Sequence, residues 1–353
     1  MARARSWPAG RLALVIAVAG CAAIVLLDAL VRDATTPRGD ELIYERMADH
    51  PGEPHTFVFA YRIAVPWLVH VLPMSHTLSF GLIAWLCSGA AGGVLFLLLE
   101  QFGIPWRISI PLAFFLVLSP PLLVASLRQG RSPDPLTALV MVSGALFIVR
   151  GQPRALAATM LVGALNRESA LFLAPLAYAV WARELFDRDA LVRTLAIAAP
   201  AVVAFVALRL AIPTVGREMV PGYGGGIIGG RLDVLSDAGG GLGLQARRLA
   251  SIYGPLWLLA PLALARFQFA RRALVLAVLC AIAMTFALDW GRIAFIAAPA
   301  VYAAAAWTLQ QRPRLLLPTL AACVALVVGY AGYMQHTGVD NIINTHPPPY
   351  PVR

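Results

Sequence analysis

Between Arg11 and Tyr333 the chain alternates long apolar runs with short polar interruptions, and about ten or eleven runs are long enough to cross a bilayer as helices, at about 17–25 residues per crossing. The pattern predicts spans over 12–31, 78–99, 108–126, 135–149, 194–212, 252–265, 273–288, 293–307 and 315–333, with a further 27-residue apolar stretch at 155–181. That stretch is too long for one span and short for two. Its middle carries Asn166, Arg167 and Glu168, and an arginine at the bilayer centre costs about 2.5–3.5 kcal/mol on insertion scales. Two short helices meeting in a hairpin whose tip faces outward avoid that cost. The predicted fold class is therefore an all-α polytopic membrane protein with its N-terminus in the cytoplasm.

The remaining polar stretches are outer segments at 32–77, 213–251 and 334–353, within a single transmembrane domain covering 1–353. The first begins with Asp33 and the acidic helical pattern of residues 39–50. It continues into an apolar piece interrupted by Pro66, which is expected to lie in the membrane interface as a helix and not to cross. The second is glycine-rich and reads as a mobile loop or a lid; it lacks the Lys and Ser/Thr of a phosphate-cradling loop. The proline-rich tail suggests extended chain.

Composition agrees with the pattern: 59% of residues are hydrophobic and 13% charged, against about 25% charged in soluble domains. The formal charge of +10 raises the question of nucleic acid, but all 28 basic residues are arginines, and they are unevenly placed. The predicted cytoplasmic segments hold 14 arginines and 4 acids, the rest 14 and 14, so the excess is the positive-inside bias of a membrane protein. No nucleic-acid partner is implied. Cys21, Cys87, Cys280 and Cys323 all fall in apolar runs and suggest buried thiols without a disulfide framework. Val18 to Cys21 match a lipoprotein cleavage box, yet the apolar run continues to Leu27, which favours an uncleaved first span. The six histidines show no metal-ligand spacing.

With this topology the unusual polar residues converge on the outer face: Asp33, Asp40, Glu41, Tyr44, Arg62, Arg128, Arg131, Asp134, Asn166, Arg167, Glu168, Asp289 and Arg292. Arginine forks suit phosphate oxygens, and carboxylates among them accept a proton or coordinate a cation. Each piece also has a plainer explanation. Asp40 and Glu41 suit the first turn of an interfacial helix, Arg128 and Arg131 suit lipid headgroups, and Arg167–Glu168 and Asp289–Arg292 suit local ion pairs.

The stretch GDELIYERMA directly after the first span resembles the Asp-Glu-x-x-Tyr-x-x-x-Ala signature in the first outer loop of GT-C glycosyltransferases, such as the protein O-mannosyltransferases and the aminoarabinose transferases of lipid A. YRIAVPWLV, NRESALFLAPL and DWGRIAFIAAP resemble segments of uncharacterised bacterial members of that superfamily. The resemblance implies transfer of a sugar from a polyprenyl-phosphate carrier to an envelope glycan, lipid or protein at the outer face of a bacterial cytoplasmic membrane. Asp40 is then the general base and Glu41 its neighbour, while Arg128, Arg131, Arg167, Arg62 and Arg292 hold phosphate. Tyr44, Asp134, Asn166, Glu168 and Asp289 support them. No cofactor is required by this reading, although carboxylates at 33, 40 and 134 would suit a divalent cation if the fold gathers them. Two other readings stay open: a transporter or flippase for an anionic lipid-linked saccharide, and a non-catalytic subunit of envelope polysaccharide assembly.

Overall fold

The computed structural model describes residues 6–31, 40–57, 59–127, 131–215, 241–285 and 290–337. Helix α1 (Ser6–Val31) lies along α4 (His76–Gln101), with α2 (Asp40–Asp49) and α3 (Ala64–Val71) between them in sequence. The α1–α4 seam is close because small residues line it: an added Cβ at Gly89 would collide with Ala17 O, and one at Gly93 would sit 2.5 Å from Ala13 O and 3.2 Å from Ala17 Cβ. Four residues apart on one face, these glycines let two helix backbones approach where lipid supplies no hydrophobic drive. We predict that Gly93→Leu costs about 1–3 kcal/mol through overpacking, because a backbone carbonyl cannot yield as a side chain can. Gly10→Ala, with nothing within 4 Å, should leave the melting temperature in detergent unchanged.

Next come α5 (Trp106–Val117) and α6 (Pro120–Leu127), bent by 45° across Leu118–Ser119. Pro120 and Pro121 explain the break, since proline opens a helix readily but cannot continue one. Helix α7 (Asp134–Arg150) ends on Gly151, whose φ of +65° is the left-handed cap that glycine adopts without penalty. The predicted hairpin is present as α8 (Pro153–Asn166), a 3-10 turn at Glu168–Phe172 and α9 (Leu173–Trp181). Its direction is fixed by hydrogen bonds: Asn166 reaches Pro133 and Thr137 at the start of α7, while Trp181 Nε1 donates to Ile148 O near the end of α7. The chain therefore climbs α7's length in α8 and returns in α9.

Helix α10 (Arg188–Ala211) starts on Asp187, whose carboxylate accepts from Ala190 N at 3.0 Å. Beyond it, α11 (Gly241–Tyr253), α12 (Leu256–Ala263), α13 (Gln268–Met284), α14 (Trp290–Ala294), α15 (Ala298–Gln311) and α16 (Leu316–Thr337) complete the array. Strand β1 (His55–Thr56) pairs in parallel with β2 (Thr214–Val215), tying the first outer segment to the chain leaving α10. In the last turn of α10, the Arg209 guanidinium lies 4.5 Å from the Tyr61 ring centre. The opposite end gathers the arginine-rich loops around aromatics: Phe267 stacks on Trp307 and meets Phe102 edge-on, and Gln310 Nε2 donates to Gly103 O.

Among the described residues, five helices are long and apolar enough to cross a membrane, or six if the bent pair is one span. The span expected over 293–307 is present at Trp290–Gln311, and α7 and α13, with 17 residues each, slightly exceed the expected 135–149 and 273–288. The span expected over 252–265 is shorter than expected, with 8 residues in α12. The segment 64–71 does form the expected short helix, with Val65 and Val69 buried and Trp67, Leu68 and Val71 exposed. Of the expected glycine-rich loop over 213–251, residues 216–240 lie outside the described residues while 241–251 form most of helix α11; the tail lies outside them from residue 338 onward.

Candidate active site

The centre of the end that carries the hairpin tip is the Asp134 carboxylate at the first residue of α7. One oxygen accepts from Arg167 Nη1 at the hairpin tip; the other accepts from Arg292 Nε of α14 at 2.7 Å and from Ser132 Oγ at 2.8 Å. The three charged side chains are between 7% and 12% exposed. Such charges are tolerable only because each is paired and hydrogen-bonded. Ser132 fixes the turn as well, since its hydroxyl accepts from Asp134 N at 3.2 Å. Asn166 locks the hairpin to the same place, donating to Pro133 O and Thr137 Oγ1, both at 2.9 Å.

A second chain of contacts runs from the first outer segment. Arg62 donates to the Tyr44 hydroxyl at 3.1 Å and to Glu168 Oε1 at 3.3 Å, so α2 is joined to the hairpin tip through one buried guanidinium. Arg131 performs a parallel task, donating to Glu45 at 3.3 Å and to Thr77 at 3.0 Å. Partial burial pushes the Glu168 carboxyl up, but Arg62 and Arg167 more than offset this and bring its pKa down to about 2. Burial likewise opposes the charge on Arg62, and Tyr44 and Glu168 reverse it, holding that pKa above the ordinary arginine value. Both groups are ionised at neutral pH.

Beside the Asp134 cluster lies a small pocket of about 10 Å³, room for about one water molecule. Asp134, Thr137, Arg167 and Arg292 line its polar end; Pro121, Ala138, Met141, Phe295 and Ile296 line the rest. It sits where two helices are interrupted, beside the α5–α6 break and the 3-10 turn between α14 and α15. Irregular backbone at membrane depth is stable only where it is buried in protein or lines a cavity.

The structure thus brings together Tyr44, Arg62, Glu168, Arg167, Asp134, Asn166 and Arg292. Glu41 is buried on α2, three residues before Tyr44. Asp40 opens α2, but its side chain lies outside the described residues, as do Arg128, Asp289 and Asp33. The expected pairing of Asp289 with Arg292 lies outside the described residues, and the strongest pairs of the arginines run across the fold. Arg167 takes Asp134, 33 residues away, in preference to its neighbour Glu168, and Arg292 takes the same carboxylate across 158 residues. Arg62 and Arg131, expected at a phosphate, hold α2 in place and do not line the pocket. Glu45, Thr77 and Ser132 went unnoticed in the sequence. Glu45 follows Glu41 by one helical turn, and Ser132 precedes Asp134 in a Ser-x-Asp turn, so those two left a local signal. Among the described residues no three His, Cys, Asp or Glu side chains gather to hold a metal. Asp134 has both oxygens engaged by arginine, and the expected gathering of 33, 40 and 134 involves Asp33 and the Asp40 side chain, which lie outside the described residues.

No family model and no curated protein sequence matches this chain. Solved structures do. A crystal structure of the Archaeoglobus fulgidus oligosaccharyltransferase in complex with Zn and sulfate superposes with a TM-score of 0.55 at 14% identity, covering 91% of this chain and 53% of that one. The same enzyme tethered to an acceptor peptide containing the NVT sequon gives 0.53 at 13% identity, covering 96% and 61%. The chain shares its fold with these structures. It spans just over half to three-fifths of their length, and at such identity the likeness concerns architecture alone.

Proposed function

We propose that the protein is a GT-C glycosyltransferase of a bacterial cytoplasmic membrane, with the first-loop signature of the O-mannosyl- and aminoarabinose-transferase type. It moves a sugar from a polyprenyl-phosphate donor to an envelope acceptor at the outer face. The observation that carries this reading is a pocket lining that sets Arg167 and Arg292 beside apolar side chains, on a fold shared with an oligosaccharyltransferase. A lipid phosphate needs both kinds of neighbour.

In the reaction, the acceptor hydroxyl or amine attacks the anomeric carbon. The bond from that carbon to the phosphate oxygen breaks, and its electron pair leaves with the lipid phosphate. Arg167 and Arg292 stabilise the charge that grows there, an electrostatic role that fixed donors perform without reorganisation. The acceptor proton passes to Asp40, with Glu41 beside it on the first turn of α2. Tyr44, Arg62, Glu45 and Arg131 hold that helix against the phosphate side. A single displacement inverts the anomeric centre, by analogy with glycosidases that use no protein nucleophile.

The test is transfer of radiolabelled sugar from polyprenyl-phosphate donors to a crude envelope extract by the purified protein in liposomes. Arg292→Gln should lower kcat by about a hundredfold or more, the usual effect of removing one donor to a developing anion. Unchanged transfer would remove Arg292 from the phosphate site.

A further inference from the structure

Three arginines, Arg62, Arg167 and Arg292, lie close enough to raise one another's charging cost, and two of them, Arg167 and Arg292, line the pocket. What makes this assembly stable without substrate is Asp134, whose two oxygens engage two separate guanidiniums. The non-bridging oxygens of a phosphate would engage the same pair in the same way. We infer that Asp134 is a resident counter-ion that the donor's phosphate displaces from Arg167 and Arg292, and that its return drives out the polyprenyl phosphate product.

This rests on the transferase reading and adds a role for a residue that neither donates nor accepts a reacting proton. Three features support it. Asp134 itself lines the pocket, so an entering phosphate meets the carboxylate and not a shielded ion pair. Ser132 Oγ donates to the same oxygen as Arg292, at 2.8 Å, so the carboxylate keeps a hydrogen bond when it gives up that arginine. The product is a phosphate monoester, carrying about −1.5 to −2 at neutral pH where the donor diester carries one charge. Without a competing anion, two buried arginines would hold the product more tightly than the substrate.

The experiment measures binding of polyprenyl monophosphate, and of the same prenol without phosphate, to full-length protein in nanodiscs, followed by donor kinetics. Asp134→Asn should bind polyprenyl phosphate about tenfold more tightly, equivalent to about 1.4 kcal/mol, with prenol binding unchanged. Its KM for donor and its kcat should both fall, since slower release limits turnover; a merely structural role would not tighten binding. Equal or weaker binding by Asp134→Asn, with wild type binding normally, overturns the counter-ion role and leaves the transferase reading standing. If Asp134→Asn is unstable alone, added polyprenyl phosphate should restore its melting temperature, and failure to do so overturns the inference. If neither protein binds polyprenyl phosphate, the transferase reading fails and this inference fails with it.

Discussion

Asp40→Asn should lower sugar transfer by between about a hundredfold and ten-thousandfold, the range for loss of a positioned general base, while the melting temperature and the KM for donor stay close to wild type. The asymmetry follows from how α2 is held. Its docking depends on the Tyr44 hydroxyl at Arg62 and on Glu45 at Arg131, one turn further along the helix, and an amide at position 40 disturbs neither. Asparagine keeps the size of aspartate and one carbonyl acceptor, exchanges the second oxygen for an NH2 donor, and cannot take a proton. Steady-state kinetics with wild-type and variant protein in the same liposomes read the result. A variant with near-normal kcat would move the base elsewhere, with Asp33, Glu41 and Glu168 the next carboxylates to replace.

The second large effect is on stability. Arg167→Ala should cost about 3–5 kcal/mol, because removing one partner of a buried ion pair leaves the other charge desolvated. Asp134 would retain Arg292 and Ser132, which places the expected value toward the lower end. The loss should not add to that of Asp134→Ala: with both gone neither strands the other, and Arg292 loses Asp134 in the single and the double variant alike, so the double variant should be more stable than the sum of the single changes predicts. Equilibrium unfolding in mixed detergent micelles gives the three values. Strict additivity would show that Arg167 and Asp134 do not stabilise one another.

How far the sequence revealed this arrangement depends on the kind of information involved. The hairpin tip at Asn166–Glu168 was legible because an arginine inside an apolar run has few places to go, and an outward turn is the least costly. The gathering of Tyr44, Arg62, Asp134, Arg167 and Arg292 at one end was legible from topology alone, since the arginine-rich loops fix which end faces the cytoplasm. Pairing was not. Arg167 stands next to Glu168 and still joins Asp134, because an extended backbone at Arg167 (φ −163°, ψ 136°) turns its side chain away from the following 3-10 turn, and no local rule contains that. The partners of Arg62 and Arg131 were not legible for the same reason: an arginine that grips a helix and one that grips a phosphate look alike in sequence. Helix length was only partly legible. Hydropathy marks where apolar residues begin and end, but whether a 17-residue run such as α7 suffices depends on whether its ends meet lipid or protein.

The most direct test of the central claim follows the two halves of the donor separately. The purified protein is placed in liposomes with doubly labelled polyprenyl-phosphate sugars and an envelope acceptor extract, and both acceptor-bound sugar and free polyprenyl phosphate are counted across a panel of donors. A glycosyltransferase gives equal molar amounts of the two with at least one donor. Movement of intact lipid-linked sugar across the bilayer, with no carrier released from any donor, would contradict it and identify a transporter on a transferase fold.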